Sequence, residues 1–204
     1  ISYDVTRLIR KGMNAIAVLL GNGWYNCHTA EVWSFDKAPW RDWPKLICDI
    51  ETDGKIAVKS DSSWKFHDSP VTFDSLRNGE YYDARLEIPG FASPSFDDSA
   101  WKNASECVPP GGVLTLEETE PCGIGKIYPV RGSWRINAEE TVYDFGVNLT
   151  GWCRIAVKGP AGAQVSLLYS EKIRPTSLDL DRAEIDMYIK SGEFQCDRYT
   201  LKGT

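Results

Sequence analysis

Short runs of alternating apolar and polar residues recur along the chain, and no segment keeps a helical period for about a dozen residues. Over Lys45–Glu51, Leu46, Cys48 and Ile50 alternate with Ile47, Asp49 and Glu51. Asp53-Gly54 then supplies a turn and Lys55–Lys59 alternates again, which predicts a β-hairpin. Thr141–Phe145, Gly151–Lys158, Ala163–Ser170, Glu184–Lys190 and Phe194–Leu201 are short, β-branched or aromatic, and divided by Gly, Pro and Asp, so each reads as a strand. Ala15–Leu20 is continuously apolar and short, the mark of a strand buried on both faces. Tyr3–Gly12, with Asp4 as N-cap and Gly12 as stop, predicts a helix of at most two turns. Repeated short strands with this spacing predict an all-β fold of two antiparallel β-sandwich, jelly-roll-like domains with few short helices. Pro109-Pro110-Gly111-Gly112 marks a linker at 106–112, which separates a first module, 1–105, from a second, 113–204.

Composition narrows the classes. The chain has 204 residues, and its 23 Lys and Arg against 29 Asp and Glu leave a net charge of −6. No cluster of basic residues matches successive phosphates, so no nucleic-acid partner is expected. No apolar run approaches the roughly 20 residues that cross a bilayer, so no membrane partner is expected either. Eight Trp and nine Tyr against seven Phe are a heavy aromatic load for a protein with 42% hydrophobic residues. None of the six cysteines forms a Cys-x-x-Cys pair, which argues for buried free thiols over zinc or disulfides. The chain begins at Ile1 without a signal-like stretch and reads as a fragment.

Candidate chemistry is sparse. His28 and His67 are the only histidines, and neither lies in a catalytic motif. The densest polar constellation is Gly79-Glu80-Tyr81-Tyr82-Asp83-Ala84-Arg85. Glu80 and Asp83 lie too close in sequence to flank a sugar from opposite sides, which needs roughly 5–9.5 Å between carboxylates. A brace suits the segment better, with Arg85 forking onto one carboxylate. Trp24, Tyr25, Trp33, Phe35, Trp40 and Trp43 crowd a loop rich in Gly, Asn and Pro. Such rings either fill a core or offer flat faces to sugar C–H groups, and for Trp24, Trp33 and Trp40 the pattern leaves both readings open. Trp64 and Trp101 read as core.

Several motifs in order carry a family resemblance. Tyr3-Asp4-Val5-Thr6, Gly12-x-Asn14-x-Ile16, Leu20-Gly21-Asn22-Gly23-Trp24-Tyr25, Asp53-Gly54, Ser63-Trp64-Lys65, Gly79-Glu80-x-Tyr82-Asp83-Ala84-Arg85 and Phe96-Asp97-Asp98-Ser99-x-Trp101 resemble the N-terminal module of bacterial α-L-rhamnosidases of glycoside hydrolase family 78. Beyond the linker, Val142-Tyr143-Asp144-Phe145-Gly146-x-Asn148-x-x-Gly151-Trp152, Gly159-Pro160-x-Gly162 and Tyr169-x-Glu171 resemble the concanavalin-like sandwich of the same enzymes, although Val147 stands where the family usually has Gln.

The resemblance implies an inverting hydrolase of terminal α-L-rhamnose whose glutamate acid and base belong to a helical (α/α)₆ barrel. No counterpart of that barrel is present in this sequence, so the chain alone is expected to be inactive and architectural. Its implied partners are a rhamnose-containing carbohydrate and the catalytic barrel of the same polypeptide. The module is also similar to carbohydrate-binding module family 67, some members of which hold L-rhamnose through calcium. On that basis Asn22, Trp24 and Tyr25, with Trp33 and Trp40 beside them, are the expected sugar contacts; no cofactor is required and no calcium ligand is assigned. A truncated sandwich leaves an exposed sheet edge, through which a homodimer is expected.

Overall fold

The computed structural model describes residues 1–203 and is all-β. Its helical content is one four-residue α-helix, α1 (Ala183–Asp186), and two 3₁₀ turns at Phe35–Lys37 and Ala84–Leu86. The predicted hairpin forms from β1 (Asp49–Thr52) and β2 (Lys55–Lys59), antiparallel, with a bulge between Ile50 and Glu51. Asp53 and Gly54 both take positive φ, 50° and 71°, the turn whose twist suits two strands joined by two residues.

β3 (Lys65–Phe66) pairs with β6 (Lys102–Asn103), and β7 (Gly132–Arg135) with β8 (Thr141–Asp144). β10 (Lys172–Ile173) pairs with β11 (Leu180–Asp181). The largest sheet takes the order β4-β5-β12-β9, from β4 (Val71–Ser75), β5 (Gly79–Asp83), β9 (Gln164–Leu168) and β12 (Cys196–Thr200). Its ladders are antiparallel except for β5–β12, which runs parallel, Tyr81 opposite Arg198 and Tyr82 opposite Tyr199. Strands from both sides of the strandless stretch 104–131 thus share one sheet.

Cross-strand aromatic pairs hold it together. Phe73 stacks on Tyr81 across β4–β5 at 4.6 Å, and Tyr82 on Tyr199 across β5–β12 at 5.5 Å and 5°. Cys27, Ala84, Cys196 and Leu201 are the buried apolar residues of the described chain. The accessible area is 16407 Å², against about 9,600 Å² for a compact monomer of this mass. The exposed apolar residues lie mainly outside strands, Leu8 and Leu19 near the N-terminus and Val113, Leu114 and Ile127 in the strandless stretch, with Ile56, Val58, Phe66 and Tyr143 uncovered on strands.

Several expected elements differ. Ala15–Leu20 and Gly151–Lys158 join no ladder among the described residues, and Leu19 and Leu20 are exposed; an apolar run becomes a buried strand only where partners meet its edges and faces. Tyr3–Gly12 makes a single turn, in which the amides of Leu8 and Ile9 donate to the Val5 carbonyl and the Thr6 amide to Asp4. Glu184–Lys190 is not a strand. It opens inside α1, where Glu184 and Asp186 sit in the first turn and Asp186 pairs with Arg182. Only Ile189 makes a bridge, to Glu31. The six cysteines are free, but Cys107 and Cys122 are exposed rather than buried, because they lie in the strandless stretch.

Candidate functional site: the aromatic loop and its polar brace

The loop from Gly21 to Trp43 is anchored by a buried polar network. Asn22 is bound at three points to Asp74 of β4: its backbone amide donates to Oδ2 at 2.7 Å, and its side-chain amide to Oδ1 at 2.6 Å and to the carbonyl at 3.1 Å. The Asn22 carbonyl oxygen accepts from buried Asn26, whose own oxygen accepts from Arg41. Asn22 is therefore a brace of the loop, with both N–H groups of its side chain committed to Asp74.

Glu31, 1% exposed, accepts from the backbone amides of Trp33 at 3.0 Å and Phe35 at 2.8 Å and so fixes the two ring-bearing residues. Below it, Thr29 shares a hydrogen bond with Ser75, and Ser75 donates to Asn78. Asn78, 1% exposed, donates to the carbonyls of Ser191 and Glu193. The amides of Val32 and Lys190 complete the tie by donating to Tyr188 and Ala30. The buried polar side chains Asn26, Thr29, Glu31, Ser75 and Asn78 each have a hydrogen-bond partner, as burial demands.

On this brace the rings stand at the surface. Trp24, Trp33 and Trp40 are 54%, 46% and 58% exposed. Phe35 meets Trp24 edge-on at 5.3 Å and Trp40 at 6.4 Å, and Trp33 stacks on Tyr188 at 5.4 Å. Arg77, from the β4–β5 turn, lies over both Trp24 and Trp33. Tyr25 is half-buried, its hydroxyl accepting from Lys45, which also covers its ring and pairs with Asp42. Trp64 and Trp101 are half-buried outside this group; Trp64 donates to the Lys59 carbonyl and Trp101 meets Phe96 and His67.

The acidic constellation splits in two. Arg85 forks onto Asp83, Nε to Oδ1 at 2.9 Å and a terminal nitrogen to Oδ2 at 2.6 Å, which holds the Asp83 carboxyl below its ordinary value. Glu80 takes no part. Three positions from Asp83 on strand β5, it projects to the opposite face. There it lines a shallow cleft of about 230 Å³ with Asp74 and Asp197. Partial burial first, then the negative charges of Asp197 and Asp74, pushes the Glu80 carboxyl up.

A glycosidase needs a free acid facing a free base. Asp74 is spent on Asn22, and Asp197 accepts from the Glu80 amide and the Tyr169 hydroxyl, so the cleft holds one uncommitted carboxylate. Among the described residues no three His, Cys, Asp or Glu gather to hold a metal ion.

Residues that carry this surface but have no mark in the sequence are Glu31, Asn78, Arg77 and Tyr188. Arg77-Asn78-Gly79 signals a turn at most, and nothing local pairs Tyr188 with Trp33, 155 positions earlier in the chain (188 − 33).

The model of the α-L-rhamnosidase N-terminal domain matches residues 1–126, more than half of the chain. The chain belongs to the α-L-rhamnosidase N-terminal domain family. The model of the bacterial α-L-rhamnosidase concanavalin-like domain follows at 134–204.

Its relatives include an α-L-rhamnosidase of Streptomyces avermitilis, 33% identical across 99% of this chain, and one of Formosa agariphila, 26% identical across 96%. The chain spans about a fifth of their length, 19% and 22%. Among solved structures, the Streptomyces avermitilis α-L-rhamnosidase complexed with L-rhamnose superposes with a TM-score of 0.71 at 30% identity, over 88% of this chain and 17% of that one. The Dictyoglumus thermophilum enzyme gives 0.70 at 35% identity, over 80% of this chain and 18% of that one.

Proposed function

We propose that this chain is a non-catalytic β-sandwich portion of an inverting α-L-rhamnosidase, which releases terminal rhamnose from glycans or glycosides with acids carried elsewhere in the same polypeptide. Within it, the loop from Trp24 to Trp40 holds a rhamnose-containing saccharide against exposed indoles. The single observation that carries this reading is the set of half-exposed rings of Trp24, Trp33 and Trp40 fixed on a buried polar network, beside a cleft whose carboxylates lack a free acid–base pair. Rings held rigid before binding lose little freedom when a sugar docks.

The scaffold role accounts for the uncovered apolar strand faces, which dock on the catalytic barrel. We place the division between the two modules at the 106–112 linker, with the β4-β5-β12-β9 sheet drawing strands from both sides of it.

Titration of L-rhamnose, with and without calcium, tests the sugar contact through tryptophan fluorescence and calorimetry. Binding is expected in the millimolar range and to be lost in Trp24→Ala; unchanged fluorescence and no heat remove the sugar role. Release of chromophore from an aryl α-L-rhamnoside by the 204-residue chain alone, abolished by Glu80→Gln, would overturn the scaffold reading. Gel filtration showing a dimer that rhamnose leaves undisturbed would favour a second copy of the chain as the partner of the open sheet edges.

A further inference from the structure

Arg77 differs from the arginines that form ion pairs. Arg85, Arg174, Arg182 and Arg198 each pair with a carboxylate: Asp83, Asp179, Asp186 and Glu193 respectively. Arg77 pairs with none among the described residues. Its guanidinium carbon lies 4.2 Å from the ring centre of Trp33 and 5.4 Å from that of Trp24, and its buried Nε has no hydrogen-bond partner. Glu31, the buried carboxylate of this loop, is turned onto the amides of Trp33 and Phe35. Trp33 is backed by Tyr188 and the β4–β5 turn is tied down by Asn78, so the fork is held in place.

A guanidinium lying over indole faces keeps its planar edge of N–H donors for an oxyanion, and partial desolvation strengthens the pairing. The chain as a whole carries −6, so an anion that binds here is held by this fork and not by a general positive field.

We propose that Arg77, with Trp24 and Trp33, forms a subsite for an anionic pyranose, a sugar unit bearing a carboxylate or a sulfate ester, within the glycan. The oxyanion takes the guanidinium edge while the sugar's C–H face lies on the open side of Trp24. This rests on the reading of the aromatic loop as a saccharide surface and adds the charge class of a neighbouring sugar unit.

Calorimetric titration of the full-length protein with methyl α-L-rhamnoside, methyl β-D-glucoside, methyl β-D-glucuronide and glucose 6-sulfate tests it. At least one anionic sugar is expected to bind about tenfold or more tightly than the neutral glucoside. That preference should shrink in about 0.5 M NaCl and vanish in Arg77→Gln. The tighter of the two anionic sugars identifies the source, uronate or sulfate ester.

Equal binding of charged and neutral sugars, or a preference that survives Arg77→Gln, overturns the subsite. If Arg77→Gln fails to fold, Arg77→Lys, which keeps the charge and loses the fork, must lower the preference, and wild-type salt insensitivity overturns the proposal without any variant. Rhamnoside binding without anionic preference sinks this inference alone. Absence of binding by every sugar sinks the saccharide reading and the subsite with it.

Discussion

Replacing Gly79 by alanine would drive a methyl group into β12. Gly79 opens β5 at φ +107°, and a Cβ there would lie 2.5 Å from the Cys196 carbonyl oxygen and 2.7 Å from Asp197 Oδ1. The carbonyl belongs to the neighbouring strand and cannot rotate away without breaking the β5–β12 ladder. Gly54, in the β1–β2 turn, is the matched control: φ is +71° and nothing lies within 4 Å of its would-be Cβ. Left-handed backbone costs alanine about 1–2 kcal/mol at either site. The clash adds about 1–3 kcal/mol at Gly79 only.

Gly79→Ala is therefore expected to lose about 2–5 kcal/mol and Gly54→Ala about 1–2 kcal/mol. With a urea slope of about 2 kcal/mol per molar, the midpoint should fall by about 1–2.5 M in the first and about 0.5–1 M in the second. Urea denaturation followed by tryptophan fluorescence reads both. Equal shifts would show that β12 does not lie against the start of β5, and the sheet that joins the two halves of the chain would have to be abandoned.

Asn78→Ala removes three hydrogen bonds from a buried side chain and leaves the Ser191 and Glu193 carbonyls without a partner; a loss of about 2–4 kcal/mol in the same denaturation assay is expected. Glu80 has its carboxyl pushed up in the folded protein, so its charge opposes folding. Glu80→Gln should match wild type at pH values below the ordinary glutamate range and become relatively more stable as pH rises through the raised value; a difference that grows as pH falls would refute this. A thiol-reactive chromophore should modify exposed Cys107 and Cys122 first and Cys27 and Cys196 only on unfolding, because burial shields these two and pushes their thiols up. Six thiols should titrate in denaturant without reductant.

What the sequence determined by itself is whatever a few adjacent residues decide. Asp53-Gly54 selects its turn because both positions accept positive φ, and the alternation around it can bury only one face, so the hairpin was readable to within a few residues. The same holds for the β-branched and aromatic runs that became β8, β9 and β12, for Arg85 forking onto Asp83 two positions away, and for the motif order that marks the family.

Tertiary structure decided everything that depends on a distant partner. Ala15–Leu20 has the composition of a buried strand and no ladder to join, while Glu184–Lys190 has strand-like residues and starts as α1 because Arg182 and Asp186 close a local turn. Gly79–Asp83 shows in the sequence only as a polar constellation and is the centre of a sheet, because β12, more than a hundred residues later, supplies its free edge. Asn22 becomes a brace only because Asp74 takes its amide, and Arg77 acquires its place only when the β4–β5 turn meets Trp24 and Trp33. Propensity and turn chemistry act over a few residues, whereas ladder edges and hydrogen-bond partners are apportioned by the whole fold.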